Sequence, residues 1–226
     1  MQTYVLATGK EWHLREFEAR RDRLPGQWAV VISPQDLAAI VNALKPRFIF
    51  FPHWSHIVPM EILQASECVC FHMTDVPYGR GGSPLQNLIE RGHAETRLTA
   101  LRMEQGLDTG PVYMKRPLSL TGSAREIFQR TARQVLDMME LIVREEPTPV
   151  PQQGPATEFK RRKPEQSLVP PNSDLTGLYN HIRMLDADDY PHAFVDHGHW
   201  RIHFTNANPE GETLKARAHF VRKKDQ

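Results

Sequence analysis

Apolar positions along the chain fall in short dense runs, separated by stretches in which they recur every three or four residues. "YVLATG" (4–9) predicts a strand ending at Gly9, and "WAVVIS" (28–33) a second, rich in β-branched residues. A helix follows from Ser33, a good N-cap with Pro34 at the first helical position; Leu37, Ile40, Val41 and Leu44 share one face, and Pro46 stops it. "RFIFFP" (47–52) and "ECVCF" (67–71) show no clean alternation, as expected of strands covered on both faces. Two further strands are read at 96–103 and 111–120, joined by "EQGLDTG". The stretch 123–146 is the clearest helix, with a capping box at Ser123 and Glu126. Its stripe of Ile127, Phe128, Ala132, Val135, Leu136, Met139, Ile142 and Val143 reads as core packing. Strands alternating with helices predict an α/β fold with a mostly parallel central sheet.

Beyond 146 the pattern changes. "PTPVPQQGPAT" (147–157) is dense in Pro and polar residues and reads as a linker. It divides a first domain, 1–146, from a small C-terminal α+β extension, 158–226. In that extension Leu175, Leu178, Tyr179, Ile182 and Leu185 share a helical face. "AFVDHGHWRIHF" (193–204) predicts a hairpin turning near His197–His199, and "TLKARAHFV" (213–221) a last strand. The tail "RKKDQ" (222–226) is expected to be disordered.

Composition narrows the function classes. At 226 residues the chain suits one large domain, or a domain with an appendage. A formal charge of +1, with a basic run only at Lys160–Lys163, argues for a small-molecule substrate and against a nucleic-acid partner. Cys68 and Cys70 lie two apart, cannot form a disulfide framework and suggest a reducing compartment. Met1 runs almost directly into a strand, leaving no room for a signal peptide, and no apolar run reaches the roughly 20 residues that span a bilayer. The expectation is a cytoplasmic protein without a membrane partner; a homodimer is left open. No P-loop or dinucleotide fingerprint is present. "HWSH" (53–56) and "HGH" (197–199) lack complete ligand spacing, so no metal is expected.

The chemistry-bearing stretch is "FHMTDVPYGRGGSPLQNLI" (71–89): a strand ending at His72, a loop of Gly and Pro, then a helix from Leu85 to Glu90. In open α/β sheets ligands bind beyond the carboxyl ends of strands, which is where this loop lies. The second polar landmark is Asp108 in "GLDTGP", where an Asx-type turn and a reaction site are both open readings.

Together these segments resemble the formyltransferases that use 10-formyltetrahydrofolate. That family has a histidine followed by Pro at +5, Arg-Gly at +8 and +9, and Pro four after the Arg; His72, Pro77, Arg80, Gly81 and Pro84 match each offset. A strand and an Asp-x-Gly-Pro turn follow, matched by "TALRMEQGLDTGPVY" with Asp108. "FIFFPHWSHIVPMEIL" (48–63) looks like the folate-side strand and loop, and 158–194 is similar to the segment after the catalytic domain in the nucleotide-sugar branch. One departure stands out: the family's Asn, two before the histidine, is Cys70, a weak donor.

The resemblance implies a Rossmann-like formyltransferase domain over 1–146 that formylates a primary amine, with 10-formyltetrahydrofolate as co-substrate. The catalytic set it implies is His72, Asp108 and Cys70. Folate is expected along Phe51, Pro52, His53, Ile57, Val58, Pro59, Gly106 and Leu107. The acceptor is expected at Tyr78, Arg80, Gly81, Gly82 and Ser83, with Arg80 free to contact a phosphate or to brace its own loop. A nucleotide-linked amino sugar is the expected acceptor. Methionyl-tRNA is the alternative, as is a folate- or sugar-binding module impaired by Cys70.

Overall fold

The computed structural model describes residues 1–223. In chain order the elements are β1 (Thr3–Ala7), α1 (Glu11–Arg20), β2 (Gln27–Val31), α2 (Pro34–Leu44), β3 (Phe48–Pro52), α3 (Met60–Ala65) and β4 (Glu67–His72). A two-residue β5 (Arg80–Gly81), α4 (Pro84–Glu90), β6 (Glu95–Arg102), β7 (Val112–Ser119) and α5 (Ala124–Glu145) follow. The chain ends with a two-residue β8 (Glu158–Phe159), α6 (Leu175–Arg183), β9 (Ala193–His197), β10 (Trp200–Glu210) and β11 (Thr213–Arg222).

The chain divides into two compact units, each assembled from separate stretches. The first contains Met1–Gly81, Thr96–Leu118 and Phe128–Glu158; the second contains Gly82–Glu95, Ser119–Ile127 and Phe159 onward. Residues 82–95 and 119–127, placed by sequence in the first domain, therefore group with the C-terminal stretch.

The first unit is built on a six-stranded sheet of order β2-β1-β3-β4-β6-β7. β1 pairs in parallel with β2 and β3, and β3 with β4, while β4 and β6 run antiparallel. The mostly parallel sheet expected from the sequence is present. All five residues of β3 are buried, which explains its unbroken apolar run. Period-two alternation sorts the sheet's two faces. Val5, Ala7, Ile49, Phe51 and Cys68 pack with Leu37 and Val41 of α2 and Ile62 of α3. The opposite face carries Trp28, Phe48, Phe50 and Phe71, with the Phe50 ring 5.7–6.3 Å from each of the other three. Ser33 caps α2 by accepting from the Gln35 N–H, and Lys45 ends that helix in a left-handed conformation just before Pro46.

Two expectations need correction. Residues 147–157 are not a free tether, because Val150 exchanges backbone hydrogen bonds with Val112 (2.8 and 2.9 Å), and Gln152 and Thr157 are bonded into the loop carrying Arg80. Of the tail read as disordered, Arg222 is the last residue of β11 and the Lys223 N–H donates to the His199 carbonyl; residues 224–226 lie outside the described residues.

In the second unit β9, β10 and β11 form an antiparallel sheet with β10 in the middle, turning at Gly198 and His199 as read from the sequence. Asp174 caps α6 by accepting from the Gly177 N–H at 2.7 Å. Ile182 is buried on the predicted face of α6, whereas Leu175, Leu178 and Tyr179 are half-buried. Among the described residues no helix is long and apolar enough to cross a membrane.

Candidate active site

β4 delivers His72 at its carboxyl end, on the sheet face shared by Cys68 and Cys70. The His72 Nε2 lies 2.8 Å from the Gly79 carbonyl. A carbonyl oxygen only accepts, so Nε2 carries the hydrogen and the ring orientation is fixed. The Thr74 hydroxyl donates to the same carbonyl at 3.3 Å. Nδ1 then faces Asp108 Oδ2 at 3.5 Å, and the two side chains are only 9% and 12% exposed. The Gly81 N–H donates to that same carboxylate oxygen at 2.9 Å. Histidine, aspartate and the glycine loop thus meet at one point.

Backbone conformation brings Asp108 there. Asp108 is left-handed (φ 54°), and Gly106 precedes it at φ 112°. At Gly110 a Cβ would sit 1.8 Å from the Arg102 carbonyl, so only glycine lets the loop close on β6.

Sequence reasoning missed two residues that hold this loop. The Gln152 amide donates to the carbonyls of Asp108 and Gly110, both at 2.8 Å, while its oxygen accepts from Arg80 Nε and Nη2 at 3.1 and 2.8 Å. Thr157 accepts the Gly79 N–H on its hydroxyl (2.8 Å) and the Arg80 N–H on its carbonyl (3.0 Å). Proline-rich composition signalled a tether, and neither residue belongs to a periodic pattern. Arg80 is thereby tied to Gln152.

Cys70 is half-buried on the strand leading to His72. Burial, then the Asp108 charge, pushes its thiol well above its ordinary pKa of 9. It is a neutral thiol at physiological pH, able to act only as a weak donor.

The expected folate wall divides in two. Phe51 (1% exposed) and Val58 (6%) are packed into the core, and Pro52 is buried in β3, so their side chains offer no ligand surface. Ile57 and Leu107 are 95% and 70% exposed, and Pro59 and Gly106 are also exposed. His53 is enclosed in an aromatic cluster that sequence reasoning did not foresee. Its ring stands edge-on to Phe128 (4.6 Å) and Trp12 (5.6 Å), and its Nδ1 lies 3.3 Å from His13 Nε2. Burial, followed by the nearby Lys10 and His72, pushes His53 down to about 4. His13, fully buried after β1, is also lowered well below its ordinary value, by burial and then by His53. A cavity of about 680 Å³ lies toward the other end of β4, lined in part by Met60, Leu63, Cys68, Met103, Glu104 and Gln105 but not by His72 or Asp108.

Of the expected acceptor residues, Tyr78, Arg80 and Gly81 lie on the loop after His72, with Tyr78 half-buried. Gly82 and Ser83 belong to the second unit, where the Ser83 hydroxyl accepts the Arg162 N–H at 3.0 Å and a Cβ on Gly82 would meet Arg161 at 2.5 Å. Within the basic run Lys160–Lys163, Arg162 is paired with Glu90 at 2.8 Å. Among the described residues no group of three or more His, Cys, Asp or Glu side chains is placed to hold a metal ion.

The chain is similar to several known proteins. A family described as "Formyl transferase" matches residues 25–139, and one described as "Methionyl-tRNA formyltransferase, C-terminal domain" matches residues 164–221. A solved methionyl-tRNA formyltransferase from Clostridium thermocellum is 39% identical, with a TM-score of 0.95 over 99% of this chain and 100% of that one. A methionyl-tRNA formyltransferase from Campylobacter curvus is 30% identical over 72% of this chain and 54% of its own length. HypX from Aquifex aeolicus, solved in complex with tetrahydrofolic acid, shares the fold at 19% identity, with a TM-score of 0.77 over 94% of this chain and 38% of that one. The chain spans about half the length of the curated relatives it matches. Names that include tRNA leave the expected exclusion of a nucleic-acid partner unsupported. With one family match covering half the chain, and a relative 39% identical along its whole length, the chain belongs to the formyl transferase family.

Proposed function

We propose that this chain transfers the formyl group of 10-formyltetrahydrofolate to a primary amine. The observation that carries the reading is the His72–Asp108 pair, fixed by the Gly79 carbonyl on one side and the Gly81 N–H on the other. The reaction needs a neutral amine, a donor for the developing oxyanion and a route for the released proton. His72, its Nε2 hydrogen committed to Gly79, presents Nδ1 toward the space it shares with Asp108. A proton on Nδ1 stabilises the oxyanion formed as the amine nitrogen bonds to the formyl carbon. Asp108 Oδ2 takes the proton that the nitrogen then sheds, and returns it through water to the departing folate nitrogen. Cys70 takes the place of an amide donor, and loss of one such donor costs about 2.7–4 kcal/mol of transition-state stabilisation.

This reading puts folate along residues 51–59 and 106–107, where Ile57, Pro59, Gly106 and Leu107 are among the exposed residues.

For the acceptor, the near-neutral charge of +1 favours a nucleotide-linked amino sugar over a polyanion. The second reading, methionyl-tRNA, is favoured by the 39% identical relative and by the match of residues 164–221. A cytoplasmic location belongs to the same proposal and rests on the two free thiols.

The test incubates the purified chain with 10-formyltetrahydrofolate and, separately, UDP- and dTDP-linked amino sugars or methionyl-tRNA. A formylated sugar supports the first reading and formylmethionyl-tRNA the second. Folate binding without turnover, unchanged by His72→Asn, refutes catalysis and leaves a binding module.

A further inference from the structure

β1 is flanked by β2 on one side and β3 on the other, so the connections of the chain diverge between β1 and β3. In an open α/β sheet, ligands bind in the crevice outside the strand ends at such a divergence. His53 follows directly on β3 at that edge. β3 and β4 pair in parallel with Pro52 beside Phe71, so the next step of the register brings His53 to the strand end beside His72. Alternation from Ile49 and Phe51 would send the His53 side chain to the α2 side of the sheet. Its left-handed backbone (φ 53°) turns it the other way, edge-on to Phe128 of α5 and Trp12 of α1, the side on which Phe17 of α1 meets Trp28. Left-handed backbone is uncommon outside glycine, and such strain gathers at functional sites.

Chemistry places the hydrogen on this ring. Burial above all keeps His13 and His53 neutral at physiological pH, so each imidazole carries one N–H. His13 Nε2 lies 3.3 Å from His53 Nδ1, and His13 Nδ1 is sealed from solvent without a partner. A buried N–H without an acceptor is the costlier fault, so the His13 hydrogen sits on Nε2 and is donated to His53 Nδ1. That leaves the hydrogen of His53 on Nε2. The ring is half-buried, and Nε2 bonds nothing among the described residues. A neutral N–H donor therefore stands open next to His72.

We infer that this N–H holds the acceptor substrate, by an oxygen carried on the carbon next to the reacting amine. The inference rests on the formyl transfer proposed for the chain. The amine nitrogen must keep its lone pair for the formyl carbon, so a donor at this place serves a neighbouring atom. The residues read for folate lead from Ile57 into α3, whose Ile62 packs on the α2 side, whereas the His53 ring lies on the α1 side. The acceptor is the partner left for it. Both acceptors considered have the required oxygen: a hydroxyl beside the amine of an amino sugar, or the ester carbonyl of a methionyl group. His53 is then a specificity-determining residue for amines of the form N–C–C–O, selecting against amines that lack the oxygen.

NMR and kinetics on the full chain test this. Long-range proton–nitrogen correlation of the imidazoles at neutral pH, with the His53 signals identified by their loss in His53→Phe, should show the hydrogen on Nε2. A hydrogen on Nδ1 overturns the inference, whatever the activity. Kinetics use 10-formyltetrahydrofolate and whichever of the nucleotide-linked amino sugars or methionyl-tRNA is formylated. His53→Phe keeps a ring against Phe128 but has no donor, and should raise the acceptor KM about tenfold while the KM for 10-formyltetrahydrofolate holds. His53→Gln has no ring but can set an N–H where Nε2 stands, and should keep most of the acceptor affinity. The opposite order, with His53→Phe active and His53→Gln weak, assigns His53 to packing alone, and a raised folate KM assigns it to folate; either overturns the inference. A wild type that formylates neither acceptor refutes the transfer reading itself. A wild type matched by His53→Phe refutes only the role of His53.

Discussion

His53 makes the protein's stability depend on pH in a calculable way. Its half-buried ring packs against Trp12, Phe128 and His13, and burial, with Lys10 and His72 nearby, holds it at about 4 against an ordinary 6.5. In the unfolded chain the ring regains the ordinary value. As pH falls below 6.5 the unfolded state therefore takes up the proton first, and unfolding becomes easier until pH passes about 4. The full difference corresponds to about 3 kcal/mol, of which about 2 kcal/mol is lost between pH 7 and pH 5. His13 is shifted in the same direction and adds to the loss. Urea unfolding at about pH 7, 6 and 5 on the wild type and on His53→Phe, which keeps a ring edge-on to Phe128, isolates the contribution. The wild type should lose about 2 kcal/mol more than the variant over that range. Parallel losses in the two proteins would refute the reasoning, since carboxylates common to both would then account for the whole slope.

Three other substitutions probe the loop and the site. Gly110→Ala places a methyl 1.8 Å from the Arg102 carbonyl and should destabilise the fold by several kcal/mol, read as a fall in the urea midpoint. Gln152→Ala removes the link between Arg80 and the carbonyls of Asp108 and Gly110; kcat should fall at least tenfold while the circular dichroism spectrum is kept, and Gln152→Glu should not rescue it because the amide donor is gone. Cys70→Asn restores a strong donor two residues before His72 and should raise kcat by about 10²–10³ with little change in KM; an unchanged or lower kcat would mean that the oxyanion finds its donor elsewhere.

The parts of the fold legible in the sequence are those where one physical signal dominates. β3 is buried at every position and reads as an unbroken apolar run, and α2 carries its cap and apolar face in its residue order. α1 was not legible, because only His13 and Phe17 of its ten residues are buried and five of the others are charged. His72 and Asp108 could be singled out because glycine and proline around them constrain the backbone in recognisable ways. Gln152 and Thr157 could not, because their roles come from hydrogen bonds to segments more than 40 residues away, which leave no periodicity. The Trp12–His53–Phe128 cluster likewise joins three distant segments, and its members alone read as ordinary aromatic positions.

The bonds made by Val150, Gln152 and Thr157 also bear on where this protein can be cut. A fragment ending at 146, where composition suggests a boundary, would strip the Gly79 and Arg80 amides of their acceptors and leave two carbonyls around Asp108 without a donor. The shortest piece that keeps the His72–Asp108 pair and its loop fully bonded must run at least to Thr157, and a protease nick within 147–157 would loosen that loop rather than release an intact half.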